Sequence, residues 1–183
     1  MTKLGYEPWP RACLQVYTGN GKGKTTAAFG LALRAAGRGM SVFIGQFMKQ
    51  SDYGELYGAG MLGDNIVLEQ FGAPECIPWR KDPDQRDIDL AQAGLVRARE
   101  ILNSGNYQIV ILDEIQVAVY FGLIDEAKFM SLVDERPPGV ELICTGRYAP
   151  EWLIERADLV TEMVAVKHPF DTIQLSARDG IER

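Results

Sequence analysis

The sequence is poor in the residues that staple, anchor or bind metals: it has one histidine, three cysteines and no uninterrupted apolar stretch of membrane-spanning length. Each shortage excludes something. A membrane span needs about 18 or more consecutive apolar residues, and the opening "MTKLGYEPWPRAC" lacks the apolar segment of a secretion signal, so a cytoplasmic location is expected. Cys13, Cys76 and Cys144 are far apart, odd in number and form no CxxC pair, which argues against a disulfide framework or a zinc site and for buried thiols in a reducing compartment. Basic residues are outnumbered, 19 Lys and Arg against 25 Asp and Glu, for a net charge of −6. That balance argues against an electrostatic hold on nucleic acid or anionic lipid, so any phosphate must be held by a local positive site. Repeats and interdomain linkers are also lacking. The 183 residues, 46% of them hydrophobic, therefore read as a single domain that buries its own core, with residues 1–10 as a flexible or lid-forming arm.

What is present alternates regularly. "CLQVYTG", "SVFIGQF", "NIVLEQF", "YQIVILDEI", "GVELICTG" and "ADLVTEMVAV" read as six strands, several of them nearly continuous apolar runs of the kind covered on both faces. "TTAAFGLALRAAGRG" has apolar residues at helical spacing and stops at Gly37 and Gly39. A long helix is predicted in "DPDQRDIDLAQAGLVRAREILNSG", with Asp84 as cap, Ile88, Ala91, Leu95, Ala98 and Leu102 as apolar stripe and Gly105 as stop. A shorter helix is predicted from Glu126 to Glu135. This is the pattern of an α/β fold: a mostly parallel sheet of about six strands with helices on both faces. The connections Met48 to Asn65 and Gly72 to Pro83 are long, as functional loops often are.

"TGNGKGKTT" lies between the first strand and the first helix. A glycine-rich turn in that place aims backbone N–H groups and the positive end of a helix at one point, and makes an anion site from Gly19, Asn20, Gly21, Lys22, Gly23, Lys24, Thr25 and Thr26. Lys24 would supply charge to phosphates, and the Thr25 hydroxyl could ligate Mg²⁺. The usual phosphate-loop pattern GxxxxGK[ST] fits at Gly23, Lys24 and Thr25, but its first glycine falls on Thr18; counting from Gly19 leaves the loop one residue short. "IVILDE" adds Asp113 and Glu114 at the end of an apolar strand, where carboxylates can hold Mg²⁺ directly or through water. "ICTGR" brings Arg147 to the sheet edge where ligands of such folds lie.

These motifs, with "QFMK", a following "GE" and "VKHPFD", come in the order and separation of the ATP:corrinoid adenosyltransferases of the CobA/BtuR type. The chain resembles that family from about Val16 to Asp171, and the short loop GNGKGKT is the family's own form of the phosphate loop. The resemblance implies a P-loop NTPase-like, RecA-like fold. It also implies ATP and a Co(I) corrinoid as co-substrates, Mg²⁺, Lys24 and Glu114 as catalytic residues, and Thr25, Asp113 and Glu114 around the metal. A homodimer and an electron-donating reductase such as a flavoprotein are implied as partners, with neither nucleic acid nor membrane. In "FGAPECIPWRKDP" the family places an aromatic pair F-x-W against the corrinoid; here Ile77 stands at the first position and Trp79 at the second. Gln46, Lys49 and Glu55 match family motifs without individual roles, and His168 is read as structural rather than as a cofactor contact. Two other readings share the phosphate loop: an ATPase or kinase cutting at the γ-phosphate, and a nucleotide-binding regulator without turnover.

Overall fold

The computed structural model describes residues 9–49, 53–73 and 83–182. Six strands form one sheet in the order β3-β2-β4-β5-β1-β6, and every pairing in it is parallel. They are β1 (Leu14–Thr18), β2 (Val42–Phe47), β3 (Ile66–Phe71), β4 (Ile109–Asp113), β5 (Glu141–Thr145) and β6 (Leu159–Glu162). Among the described residues seven helices connect or follow them: α1 (Lys24–Gly37), α2 (Gly54–Met61), α3 (Gln85–Asn103), α4 (Ile115–Tyr120), α5 (Glu126–Asp134), α6 (Glu151–Arg156) and α7 (Pro169–Ile173). This is the parallel α/β sheet that the strand and helix alternation implies, and it is consistent with the P-loop NTPase-like fold that the family resemblance implies.

The period-two alternation of strand side chains divides the core. Leu14, Val16, Phe43, Val110, Leu112, Leu142 and Cys144 pack with α3, α4 and α5 on one face, whereas Tyr17, Val42, Ile44, Ile109, Ile111 and Ile143 pack with α1 on the other. All residues of β2 and β4 are buried, as continuous apolar runs require. On α1, Ala28, Ala32 and Ala35 are the buried apolar positions, so small side chains let the helix lie close to the sheet and bring its N-terminus down onto the strand ends.

The six strands stand where the sequence pattern places them, and α3 is capped by the Asp84 carboxylate, which accepts from the Arg86 amide. The details differ in four places. Ile88 is half-buried and Ile101 takes its place in the apolar stripe. The long connection after β2 carries α2. The sixth strand closes after four residues, all exposed at the sheet edge. Cys144 is fully buried, with burial pushing its thiol well above the usual range, but Cys13 is only half-buried; Cys76 lies outside the described residues.

Packing of α3 on the sheet depends on Gly94, where a Cβ would stand 2.5 Å from Cγ of Phe71. An alanine there gains about 1 kcal/mol of helix propensity but meets the fixed base of an aromatic ring, and overpacking costs about 1–3 kcal/mol. Gly94→Ala is expected to lower the melting temperature by about 3–6 °C; thermal unfolding followed by circular dichroism checks it, and an unchanged or raised midpoint would show that the ring moves freely.

Candidate functional site

Because every strand is parallel, the carboxyl ends of all six meet along one edge. The glycine loop leaves that edge from β1, which lies between β5 and the outermost strand β6. Gly19 and Gly23 have φ of 93° and 122°, conformations that side chains rarely tolerate, and a Cβ on Gly19 or Gly21 would come within 2.4 or 2.7 Å of the Met163 carbonyl oxygen. That carbonyl, at the end of β6, accepts from the Gly21 amide at 2.6 Å. The bare backbone thus lets β6 brace the loop from behind while the first amides of α1 remain open in front.

Lys24 is buried, and its ammonium donates to the carbonyls of Gly19 and Gly21, both at 2.8 Å. Burial lowers its pKa, opposed by Glu114 and aided by Arg147. The loop is therefore closed over a desolvated cation held by backbone dipoles rather than by a carboxylate.

Asp113 ends β4 with no exposed surface. Its Oδ1 accepts from the Thr25 hydroxyl at 2.9 Å and the Thr145 hydroxyl at 2.7 Å; its Oδ2 accepts from Lys49 Nζ at 2.9 Å and Gln46 Nε2 at 3.2 Å. Burial works to raise its pKa, but the Lys49 charge and the two hydroxyls outweigh it and hold the carboxyl below its ordinary value. Glu114 is the opposite case. It stands in the left-handed region at φ 60°, fixed by its amide donating to Thr145 Oγ1 at 3.1 Å, and its side chain lines the cavity, whereas Asp113 lies behind the wall. Burial first, and the neighbouring Asp113 second, raise its pKa.

The cavity has a volume of about 660 Å³ and is lined by Lys24, Thr25, Lys49, Glu114 and Arg147, among others. A second cavity of about 620 Å³ adjoins it, sharing Asn20, Arg147, His168 and Glu182 and lined further by Phe170 and Leu175. Among the described residues no group of three or more His, Cys, Asp and Glu side chains could cage a metal. One hydroxyl and one carboxylate oxygen beside a phosphate loop suit a hard cation that keeps waters and takes its remaining ligands from phosphates, as Mg²⁺ does.

The structure brings together Gly19 to Thr26, Asp113, Glu114 and Arg147 at this edge. Ile77 and Trp79 lie outside the described residues. Gln46 and Glu55 join the network, with Gln46 Nε2 donating also to Glu55 at 3.2 Å and Gln70 donating to Gln46 Oε1 at 3.0 Å. His168 caps α7, its Nδ1 accepting from the Phe170 amide at 3.2 Å, and also lines both cavities. Sequence reasoning missed Thr145, although "CTGR" ends its strand beside Arg147. It also missed the final segment, where Lys22 donates to the Ile181 carbonyl at 2.6 Å and pairs with Glu182 at 3.2 Å.

Residues 10–183 match the family described as ATP:corrinoid adenosyltransferase BtuR/CobO/CobP. A protein of Pseudomonas aeruginosa named corrinoid adenosyltransferase is 35% identical over 179 residues, covering 94% of the chain and 84% of that relative. One of Escherichia coli strain K12 with the same name is 35% identical over 179 residues, covering 94% and 86%. The corrinoid adenosyltransferase CobA of Salmonella typhimurium is 32% identical over 177 residues, covering 94% and 86%.

Proposed function

Since the chain belongs to the ATP:corrinoid adenosyltransferase family, we propose that it transfers the 5′-deoxyadenosyl group of ATP to the cobalt of a reduced corrinoid and releases tripolyphosphate, in making or salvaging adenosylcobalamin. In that reaction the Co(I) electron pair forms the bond to C5′ while the C5′–O bond breaks and its pair leaves with the tripolyphosphate. The cobalt is itself the nucleophile, so the protein needs none of its own. Its task is to align the two substrates and stabilise charge on the departing phosphates.

The observation that carries this reading is the glycine loop with buried Lys24, facing Glu114 across one cavity. The loop amides and Lys24 hold the triphosphate, Lys22 and Arg147 add charge at its rim, and Thr25 and Glu114 hold Mg²⁺, which when bound offsets phosphate charge. Asp113 acts from behind Thr25. The family resemblance assigns Ile77 and Trp79, which lie outside the described residues, to an apolar cover that would keep water and axial bases from the cobalt. The same reading includes a homodimer, a cytoplasmic location and a flavoprotein-type reductase as the source of Co(I).

The decisive experiment incubates the protein with Mg-ATP and a chemically reduced corrinoid. A light-sensitive adenosylated corrinoid and intact tripolyphosphate are expected in equal amounts, with ATP nearly untouched when corrinoid is omitted, because water is a poor nucleophile at an sp³ carbon. ADP and orthophosphate released at a comparable rate without corrinoid would overturn the transferase reading in favour of a γ-phosphate hydrolase.

A further inference from the structure

The fold takes unusual trouble over the position of Lys49. The chain leaves β2 through Met48, a non-glycine residue at φ 57°, a conformation that costs about 1 kcal/mol or more and persists only where the surroundings enforce it. Enforcement comes from β3: the Met48 amide donates to the Phe71 carbonyl at 3.0 Å, and the next residue is Gly72, where a Cβ would lie 2.5 Å from the Lys49 nitrogen. The turn sends the Lys49 side chain across the end of β2 to β4. There its ammonium meets Asp113 Oδ2 at 2.9 Å and Glu55 at 3.6 Å, with the Tyr53 ring 5.3 Å away.

We propose that Lys49 is a positioning residue for Thr25, acting through Asp113. The proposal rests on the reading of the cavity as an Mg-ATP site. A hydroxyl has one proton and two lone pairs, so the direction in which Thr25 spends its proton decides whether its lone pairs can face a cation. Asp113 Oδ1 takes that proton, together with the one from Thr145. It can do so in a fixed direction because Lys49 and Gln46 hold Oδ2. Without the ammonium, a fully buried carboxylate would be left with neutral donors alone, an arrangement whose cost is large, and Oδ2 would be held only by Gln46 at 3.2 Å. Lys49 and Lys24 both line the cavity, but their partners differ. Lys24 is held by backbone carbonyls that a phosphate can replace, whereas Lys49 is committed to two carboxylates. The structure thus assigns Lys24 to phosphate and Lys49 to the orientation of the metal-facing hydroxyl.

The test measures binding. ATP affinity of the full chain is determined by calorimetry in EDTA and across a Mg²⁺ series, and Mn²⁺ binding in the presence of ATP is read by electron paramagnetic resonance. Lys49→Met is expected to weaken Mn²⁺ by about 10–100-fold, as loss of an outer-shell partner does, while metal-free ATP affinity stays within about twofold of the parent; Lys49→Arg, which keeps the charge, recovers most of the loss. In an Asp113→Asn background, Lys49→Met is expected to add little further loss, because the two act as one unit, and this double variant, lacking both buried charges, also serves if the single variant fails to fold. Unchanged Mn²⁺ affinity, an equal loss of ATP affinity with and without metal, or additive losses in the double variant would each overturn the proposal, the second by making Lys49 a phosphate contact. If the parent protein shows no metal dependence of ATP binding, the reading of the cavity falls, and the proposal with it.

Discussion

Lys24→Ala is expected to lower adenosyl transfer by about 10²–10³-fold, the loss seen when a single donor aimed at developing charge is removed. The charge on the leaving tripolyphosphate grows as the C5′–O bond breaks, and Lys24 is the cation buried within the loop that faces it. Its environment amplifies the effect. Burial already lowers its pKa, which means that the free protein bears the cost of a desolvated charge and that a phosphate arriving beside it relieves that cost. The fold should survive the substitution. The two lost hydrogen bonds from a charged donor, to Gly19 and Gly21, together contribute about 3–6 kcal/mol, offset in large part by removal of a buried charge, and the loop remains braced by the Gly21 amide on Met163. Thermal unfolding separates the two effects. In the parent, ATP at a hundred times its dissociation constant should stabilise by about 2.7 kcal/mol; in the variant the same concentration should scarcely move the midpoint. Parent-like turnover at limiting ATP would remove Lys24 from the site.

The parts of this molecule legible in the sequence are those set by neighbours along the chain. Nearly continuous apolar runs mark the strands, because a strand buried on both faces has few polar positions to conceal it, and Asp84 and Gly105 mark α3 because a cap is a local interaction. The short helices α2, α4, α6 and α7 have at most eight residues each, too few for a periodic stripe; α2, α4 and α6 pack on strands, and isolated helices of this length are not stable by propensity. The loop around Lys24 was readable for the same local reason, since glycines and lysines stand within a few residues of one another. What surrounds Asp113 was not. Thr25, Gln46, Lys49 and Thr145 come from the ends of three different strands or the segments that follow them, 88, 67, 64 and 32 residues away. An acid at the end of a strand looks the same whether it faces a cavity or is enclosed by donors. Only the packing of β5 between β1 and β4 puts Thr145 on one side of it and Thr25 above it.

Glu114→Gln should separate function from stability. The substitution preserves size and the left-handed backbone at φ 60°, so the amide contact with Thr145 and the start of α4 remain. It removes a carboxylate whose pKa is raised by burial and then by Asp113 beside it, so above that raised pKa the ionised side chain is a liability to the free protein. The sign follows from the shift: a carboxyl with a folded pKa above its unfolded one costs the fold free energy at higher pH and ceases to do so as pH falls through that pKa. Near neutral pH the glutamine variant without metal is therefore expected to melt higher than the parent, by about 2–4 °C for each kcal/mol relieved, with the gap closing in acid. The same variant loses an anionic oxygen for Mg²⁺, and transfer should fall by about 10²-fold, with a correspondingly higher Mg²⁺ requirement. Strain and buried charge kept at the cost of stability are what a functional site leaves behind. Paired melting curves with and without Mg-ATP check both halves: a variant that melts lower than the parent in EDTA would show Glu114 to be a structural acid, and one with parental activity and metal dependence would show that it holds no metal.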